Sequence, residues 1–121
     1  MPPCSIDYTA SADLVRASAP PVYHYVVVRS DLSRGVLAAQ VVHAAGESSP
    51  GGLSEGTFAV VLATSDEASL HAIASKLDGA GIAFVRIVEP DRNNELTALG
   101  LAPVRDRREV RRVLSSLPLL R

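Results

Sequence analysis

The sequence predicts an α/β fold: a single domain with a mixed four-stranded sheet flanked by helices, in the order β-α-β-α-β-β-α. A chain of 121 residues has room for one ordinary domain with one core. Its composition, 47% hydrophobic and 21% charged, supplies enough apolar surface to offset the entropy lost on folding. Short β-branched runs alternate with segments of helical periodicity, and this alternation predicts the order of the elements.

Residues 1–21 are rich in proline and small side chains, and we expect them to form a flexible leader before a domain at residues 22–121. Cys4 is the only cysteine, so no disulfide can form within one chain. No stretch approaches the ~20 apolar residues of a membrane span, and the leader lacks the basic and apolar regions of a signal peptide. We therefore expect a cytoplasmic protein that contacts no membrane.

The first predicted strand begins at Tyr23. Its run Tyr-His-Tyr-Val-Val-Val-Arg is β-branched and aromatic without interruption, which indicates a strand covered on both faces. Ser33 or a neighbour can cap the helix that follows, and this helix continues to Ala45 with Gly46 near its end.

Most of the first helix is apolar, but it carries three polar residues. Gln40, His43 and Glu47 follow one another at spacings of three and four, so they share one side of the helix. The sequence therefore predicts a narrow polar stripe on an otherwise buried helix.

The middle of the chain predicts a loop, a strand and a second helix. Residues 48–56 are small, polar and glycine-rich, and Thr57 to Ala63 then forms a second buried strand. The second helix begins at Ser65, where a capping residue and two acids suit the positive end of the helix dipole. Gly79 and Gly81 end this helix, whose apolar face contains Leu70, Ile73, Ala74 and Leu77.

The last third predicts two strands and a helix. The third strand runs from Ile82 to Val88, and the fourth from Leu96 to Val104. Their polar connection, Glu89 to Glu95, is short enough for an antiparallel hairpin. Asp106 to Leu117 then forms the final helix, whose arginines are most simply a solvated face.

Known catalytic motifs are absent from the sequence. It contains no glycine-rich phosphate loop, no nucleophile elbow, no cysteine or histidine cluster for a metal and no dinucleotide fingerprint. The formal net charge of −1 argues against a broad cationic surface, although the segment from Arg92 to the end is locally basic. The remaining candidates are the polar stripe of the first helix and the segment from Glu89 to Thr97.

Two blocks of sequence resemble the type II peptidyl-tRNA hydrolases of archaea and eukaryotes. The first is Val-Val-Val-Arg-Ser-Asp-Leu from Val26, followed by Gly35 and by Ala-Ala-Gln-Val-Val-His-Ala from Ala38. The second is Thr-Ala-Leu-Gly-Leu-Ala-Pro from Thr97. The resemblance covers residues 22–121 and implies a homodimer, no metal or other cofactor, and cleavage of the ester that joins a peptide to the 3′ end of tRNA.

The resemblance also implies a set of site residues. His43 matches the family's site histidine, Gln40 its helix glutamine and Thr97 its site threonine. An aspartate of the family falls at Glu89 or Asp91, and a basic position falls at Arg34. The family's lysine after the glycine is replaced here by Val36, and the loop after Glu89 is shorter.

Ester hydrolysis needs an oriented water, a group that accepts its proton and donors for the developing oxyanion. His43 with Glu89 or Asp91 can supply the base and its orienting partner, while Thr97 can hold the water or donate to the substrate. Each residue also has a structural interpretation. His43 can bond a backbone carbonyl, Gln40 can bond a nearby loop, Glu89 and Asp91 can be turn acids, and Thr97 can be an ordinary strand residue.

Three functions are therefore compatible with the sequence. The first is a peptidyl-tRNA hydrolase, favoured by Gln40, His43 and Thr97 together. The second is a tRNA or RNA binder with weakened catalysis, favoured by Val36. The third is a non-catalytic interaction domain, favoured by the near-neutral charge.

Overall fold

The computed structural model describes residues 21–121, so nearly all of the predicted leader lies outside the described residues. Residues 21–121 form an α/β domain with four strands in one mixed sheet and three α-helices, as the sequence predicted. The strands are β1 (Tyr23–Arg29), β2 (Phe58–Thr64), β3 (Phe84–Glu89) and β4 (Glu95–Leu101). The helices are α1 (Arg34–Ser48), α2 (Glu67–Ala80) and α3 (Arg108–Leu114), with a single 3₁₀ turn at Pro90–Arg92.

The sheet has the order β2-β1-β4-β3. β1 pairs with β2 in parallel and with β4 antiparallel, and β3 pairs with β4 antiparallel. β1, β2 and β3 therefore end at the same edge of the sheet, where β4 begins. We call this side the carboxyl edge, and the candidate residues gather there.

The two faces of the sheet bury separate sets of apolar side chains. α1 covers one face, where the buried residues are Val26, Val28, Leu32, Ala44, Ile87 and Ala98. α2 and α3 cover the other, where the larger core contains Tyr25, Val27, Leu62, Leu70, Ile73, Ala74, Leu77, Leu96, Leu99, Leu101, Val110 and Leu114. Burial on both sides explains the unbroken apolar run of β1.

The predicted ends of several elements were wrong by a few residues. β3 starts at Phe84 rather than Ile82, and β4 ends at Leu101 because Val104 forms only an isolated bridge with Tyr23. α3 is confined to Arg108–Leu114, since the chain then leaves the helix to run beside β2.

The burial predicted for α1 was also wrong. Gln40, assigned to a polar stripe, is one of the two buried residues of the helix, whereas the apolar Val42 is 69% exposed. His43 and Glu47 of the same stripe are exposed. The helix therefore turns a polar side chain toward the sheet, which requires a buried partner for it.

The chain after α3 returns to the edge of the sheet. Pro118 accepts a hydrogen bond from the backbone of Ala63, and Leu120 donates one to the backbone of Val61, both 2.9 Å long. Leu119 forms an antiparallel bridge with Leu62 between them. This C-terminal segment, Pro118–Leu120, lies along the outer side of β2.

Candidate functional site

Thr97, Gln40 and Glu89 form a chain of hydrogen bonds at the carboxyl edge that joins β4, α1 and β3. The Thr97 hydroxyl donates to Oε1 of Gln40 at 2.7 Å, and Nε2 of Gln40 donates to Oε2 of Glu89 at 3.2 Å. Thr97 and Gln40 are 0% and 4% exposed, while Glu89 is half-buried. Because a carboxylate only accepts hydrogen bonds, Glu89 fixes the orientation of the Gln40 amide. We call these three residues the polar chain.

A β-bulge in β4 points Thr97 at α1. Ile87 pairs with Ala98, and the next residue of β3, Val88, pairs with Leu96, so Thr97 is the extra residue. In a regular strand Thr97 would share a face with Leu99, on the side of α2. The bulge places Thr97 on the opposite side, where its hydroxyl reaches Gln40 and lies 3.2 Å from the Ile87 carbonyl.

Of the two candidate acids, Glu89 belongs to the polar chain and Asp91 does not. Glu89 ends β3, and its Oε1 accepts from the backbone N–H of Asp91 at 3.3 Å. This contact caps the 3₁₀ turn that begins at Pro90. The side chain of Asp91 is exposed on that turn. The sequence left this choice open because both acids flank the same proline.

His43 lies one turn after Gln40 on α1 and is exposed. Its imidazole forms no hydrogen bond with any residue between 21 and 121, so Glu89 does not orient it in this conformation. Arg34, the first residue of α1, is exposed at the carboxyl edge. Val36 packs against the core cluster beneath α1, where a lysine would lose that contact.

An ion-pair network that sequence reasoning missed lies beside the polar chain. Arg29, at the end of β1, is 7% exposed. Its guanidinium donates to both carboxylate oxygens of Asp31, to Glu95 and to the carbonyl of Leu96 over 2.9–3.2 Å. The contact with Arg29 lowers the pKa of Asp31 below its usual value. The signal available in the sequence was a lone arginine ending a buried strand, with an acid two residues later.

Glu67, the first residue of α2, supports the start of β4. Its Oε2 accepts a hydrogen bond of 2.9 Å from the backbone N–H of Leu96, and this bond lowers the pKa of Glu67. Together, Glu67 and Arg29 fix both backbone groups of Leu96. The residue next to the bulge is therefore held from two directions.

The carboxyl edge carries more acids than bases. Its ionisable side chains are Arg29, Arg34, Arg92, Asp31, Asp66, Glu67, Glu89, Asp91 and Glu95. Such an edge is a poor binding surface for several phosphates at once, because its carboxylates repel them. This edge is better suited to a ligand part with little negative charge than to a row of phosphates.

A buried histidine, His24, lies near the opposite end of α1. Nε2 of His24 is 2.8 Å from the Ser48 hydroxyl, which is itself 2.6 Å from the carbonyl oxygen of Ala44. Since the serine proton goes to that carbonyl, the imidazole is the donor to Ser48 and does not activate it as a nucleophile. Burial lowers the pKa of His24, which favours its neutral form. The pair ties β1 to the end of α1.

The described part of the chain contains no group of three or more histidine, cysteine, aspartate or glutamate side chains placed to hold a metal ion. None of its helices is both long enough and apolar enough to cross a membrane.

The hydrogen bond from Thr97 to Gln40 should stabilise the fold. Thr97→Val keeps the shape of the side chain but removes the donor, so Oε1 of Gln40 becomes a buried acceptor without a partner. We expect a loss of about 1–3 kcal/mol in the free energy of unfolding, measured by urea denaturation. Thr97→Ser keeps the hydroxyl and should lose less. Equal stability of Thr97→Val and the native chain would show that this bond contributes nothing.

Comparison with known proteins bears on the fold. No protein-family model matches the chain, and no curated protein matches it. Among solved structures it is similar to Atu0240, a protein of unknown function from Agrobacterium tumefaciens strain C58. The identity is 18% and the TM-score 0.53, over 83% of this chain and 98% of the other. At this identity the two proteins share a fold.

Proposed function

We propose that the chain is a peptidyl-tRNA hydrolase that cleaves the ester between an N-blocked aminoacyl or peptidyl group and tRNA. The observation that carries the proposal is the polar chain of Thr97, Gln40 and Glu89, one helical turn from an exposed histidine. Buried amide and hydroxyl groups cost free energy unless they are paired. Three elements converge on one half-buried carboxylate, and this supports a site rather than a packing detail.

In this proposal His43 is the general base. It takes a proton from a water molecule, the water oxygen bonds to the ester carbonyl carbon, and the bond from that carbon to the 3′ oxygen of tRNA breaks. The 3′ oxygen leaves as a hydroxyl after it receives the proton. Glu89 orients the imidazole or the water when substrate is bound, since hydrogen bonds of this kind often tighten only in the complex.

Gln40 and Thr97 are positioning residues in this mechanism. Thr97 is fully buried and its proton is shared between Gln40 and the backbone of Ile87, so it acts on the substrate through Gln40. We assign Arg34, the first residue of α1, the role of binding a tRNA phosphate. Asp91 is exposed, and we give it no direct role beyond the 3₁₀ turn.

The acidic carboxyl edge favours recognition of the ester and the terminal ribose over that of many phosphates. We therefore expect weak affinity for tRNA that falls only modestly with salt, because few phosphates are neutralised. A cytoplasmic location, expected from the sequence, and a homodimer, implied by the resemblance described above, are part of the same proposal. Sedimentation equilibrium tests the dimer.

The test is release of N-acetyl-aminoacyl groups from tRNA by the purified protein. Loss of a general base costs roughly a hundredfold or more, so His43→Ala should slow release by at least that factor. The matched control is His71→Ala, because His71 is also exposed on a helix but lies on α2 at the other face of the sheet. Release by the native chain that is unaffected in His43→Ala would overturn the role of His43.

A non-catalytic tRNA binder is the second candidate, because Val36 occupies the family's lysine position and packs against the core. Titration of labelled N-acetyl-aminoacyl-tRNA at two salt concentrations separates the candidates. Binding without release favours the binder. Absence of both release and binding at low salt would refute both and favour the interaction domain.

A further inference from the structure

A small pocket lies on the opposite face of the sheet from the polar chain. It is an open depression lined by β1, β2, α3 and the residues on either side of α3, and its volume is about 200 Å³. Drug-sized ligands occupy roughly 300–1,000 Å³, so this pocket suits a molecule of only a few heavy atoms. Its lining is Tyr25, Leu62, Arg107, Arg111, Leu114, Ser115 and Leu117.

One polar group of the pocket is accessible and has no hydrogen-bond partner among the described residues. Tyr25 is 5% exposed, and its hydroxyl forms no hydrogen bond with any described residue. Every fully enclosed side-chain oxygen or nitrogen in residues 21–121 does have a partner. The Tyr25 hydroxyl is therefore the part of this side chain that reaches the pocket. Because this hydroxyl is accessible and unpaired while the ring is buried, it is available to a ligand in the pocket.

The two arginines of the pocket differ from their neighbours on α3. Arg108 pairs with Asp106, and Arg112 pairs with Glu109. Arg107 and Arg111 form no ion pair within residues 21–121. They are four residues apart, so they project from successive turns on the same side.

Arg107 is held in place by an aromatic ring. Its guanidinium carbon lies 4.0 Å from the centre of the Tyr23 ring. Stacking uses the face of the guanidinium and leaves its N–H groups in the plane free to bind an oxyanion. The turn after α3 is fixed too, since Leu117 donates to the carbonyl of Leu114 at 3.0 Å and the C-terminal segment pairs with β2.

We propose that this pocket binds a small aliphatic carboxylate. The carboxylate contacts Arg107, Arg111 and the Tyr25 hydroxyl, which together offer charged and neutral donors for two oxygens. The hydrocarbon part packs against Leu62, Leu114 and Leu117. These leucines distinguish the ligand from inorganic phosphate, which has no apolar part to bury. The site is separate from the polar chain, and the proposal does not depend on hydrolase activity.

The test is titration of the full chain with 4-methylpentanoate, followed by two-dimensional NMR. We expect saturable binding, a much weaker response to the neutral 4-methylpentanamide, and a weaker response to inorganic phosphate. Arg111→Gln should weaken binding about tenfold, and Tyr25→Phe, which removes only the hydroxyl, about threefold or more. Both substitutions leave the apolar contacts of the fold in place.

Arg112→Gln is the matched control, because Arg112 is on the same helix but is paired with Glu109 and does not line the pocket. It should bind as the native chain does. Equal binding of the acid and the amide, equal weakening by Arg112→Gln and Arg111→Gln, or no saturable binding of the acid would each overturn the proposal. If phosphate bound more strongly than 4-methylpentanoate, the pocket would be a site for a simple oxyanion. The proposed role of the leucines would then be overturned.

Discussion

Gly100→Ala should lower the free energy of unfolding by about 3 kcal/mol or more, measured by urea or thermal denaturation. Gly100 is on β4 under α1, and a methyl group there would overlap the carbonyl oxygen of Ala44. It would also lie 2.7 Å from the Ser48 hydroxyl. The obstacle is mainly backbone, so relief requires α1 to move away from the sheet.

Gly79→Ala is the matched control for this substitution. Gly79 lies in α2, and nothing is within 4 Å of the position that its Cβ would occupy. Alanine is a better helix former, so this variant should gain about 0.5–1 kcal/mol. Opposite signs for the two variants are expected. A neutral Gly100→Ala would mean that α1 does not approach β4 as closely as described.

Arg29→Met should have the second large effect, a loss of about 3 kcal/mol at neutral pH. The substitution keeps the length and apolar stem of the side chain but removes its contacts with Asp31, Glu95 and the Leu96 carbonyl. The carbonyl is then left buried without this donor. The two carboxylates are partly exposed and regain some hydration, which limits the loss.

The Arg29 prediction extends to pH dependence. Arg29 lowers the pKa of Asp31 in the folded state below its ordinary value of 3.8. The stability from this pair is therefore complete above about that value and is lost as the pH falls through the lower folded pKa. The free energy of unfolding of the native chain, measured from denaturation curves, should decrease as the pH falls through this range. The free energy of unfolding of Arg29→Met should depend less on pH.

Arg108→Met is the control for charge removal alone, because Arg108 and Asp106 are both largely exposed. It should leave stability at neutral pH almost unchanged, since surface ion pairs contribute little. If Arg29→Met also left the free energy of unfolding unchanged, the network at the carboxyl edge would not stabilise the fold.

The order of strands and helices was predictable because the signals for it are local. Each strand is a short apolar run, and each helix shows its period within a dozen residues. The face of α1 was not predictable in the same way. Ala38, Ala39 and Val42 are as apolar as the residues beneath the helix, so hydrophobicity alone does not distinguish the two sides.

The candidate site was only partly visible in the sequence. Gln40, Thr97 and Glu89 were singled out, and the structure brings these three together. Their contact depends on the bulge at Thr97, and no residue in the strand predicts a bulge there. The network around Arg29 joins residues 66 positions apart along the chain, and periodicity carries no information at that separation.

The C-terminal segment also determines how sheets of this protein can join. With Pro118–Leu120 beside β2, the outer side of β3 is the one sheet edge in residues 21–121 that has no strand or segment beside it. If two molecules pair through the open edge of β3, they form an isologous, two-fold dimer in which the open edge of each molecule is covered. Assembly by edge-to-edge strand pairing then ends at the dimer. If the segment detached, each molecule would present two edges, and head-to-tail pairing could then continue into a filament.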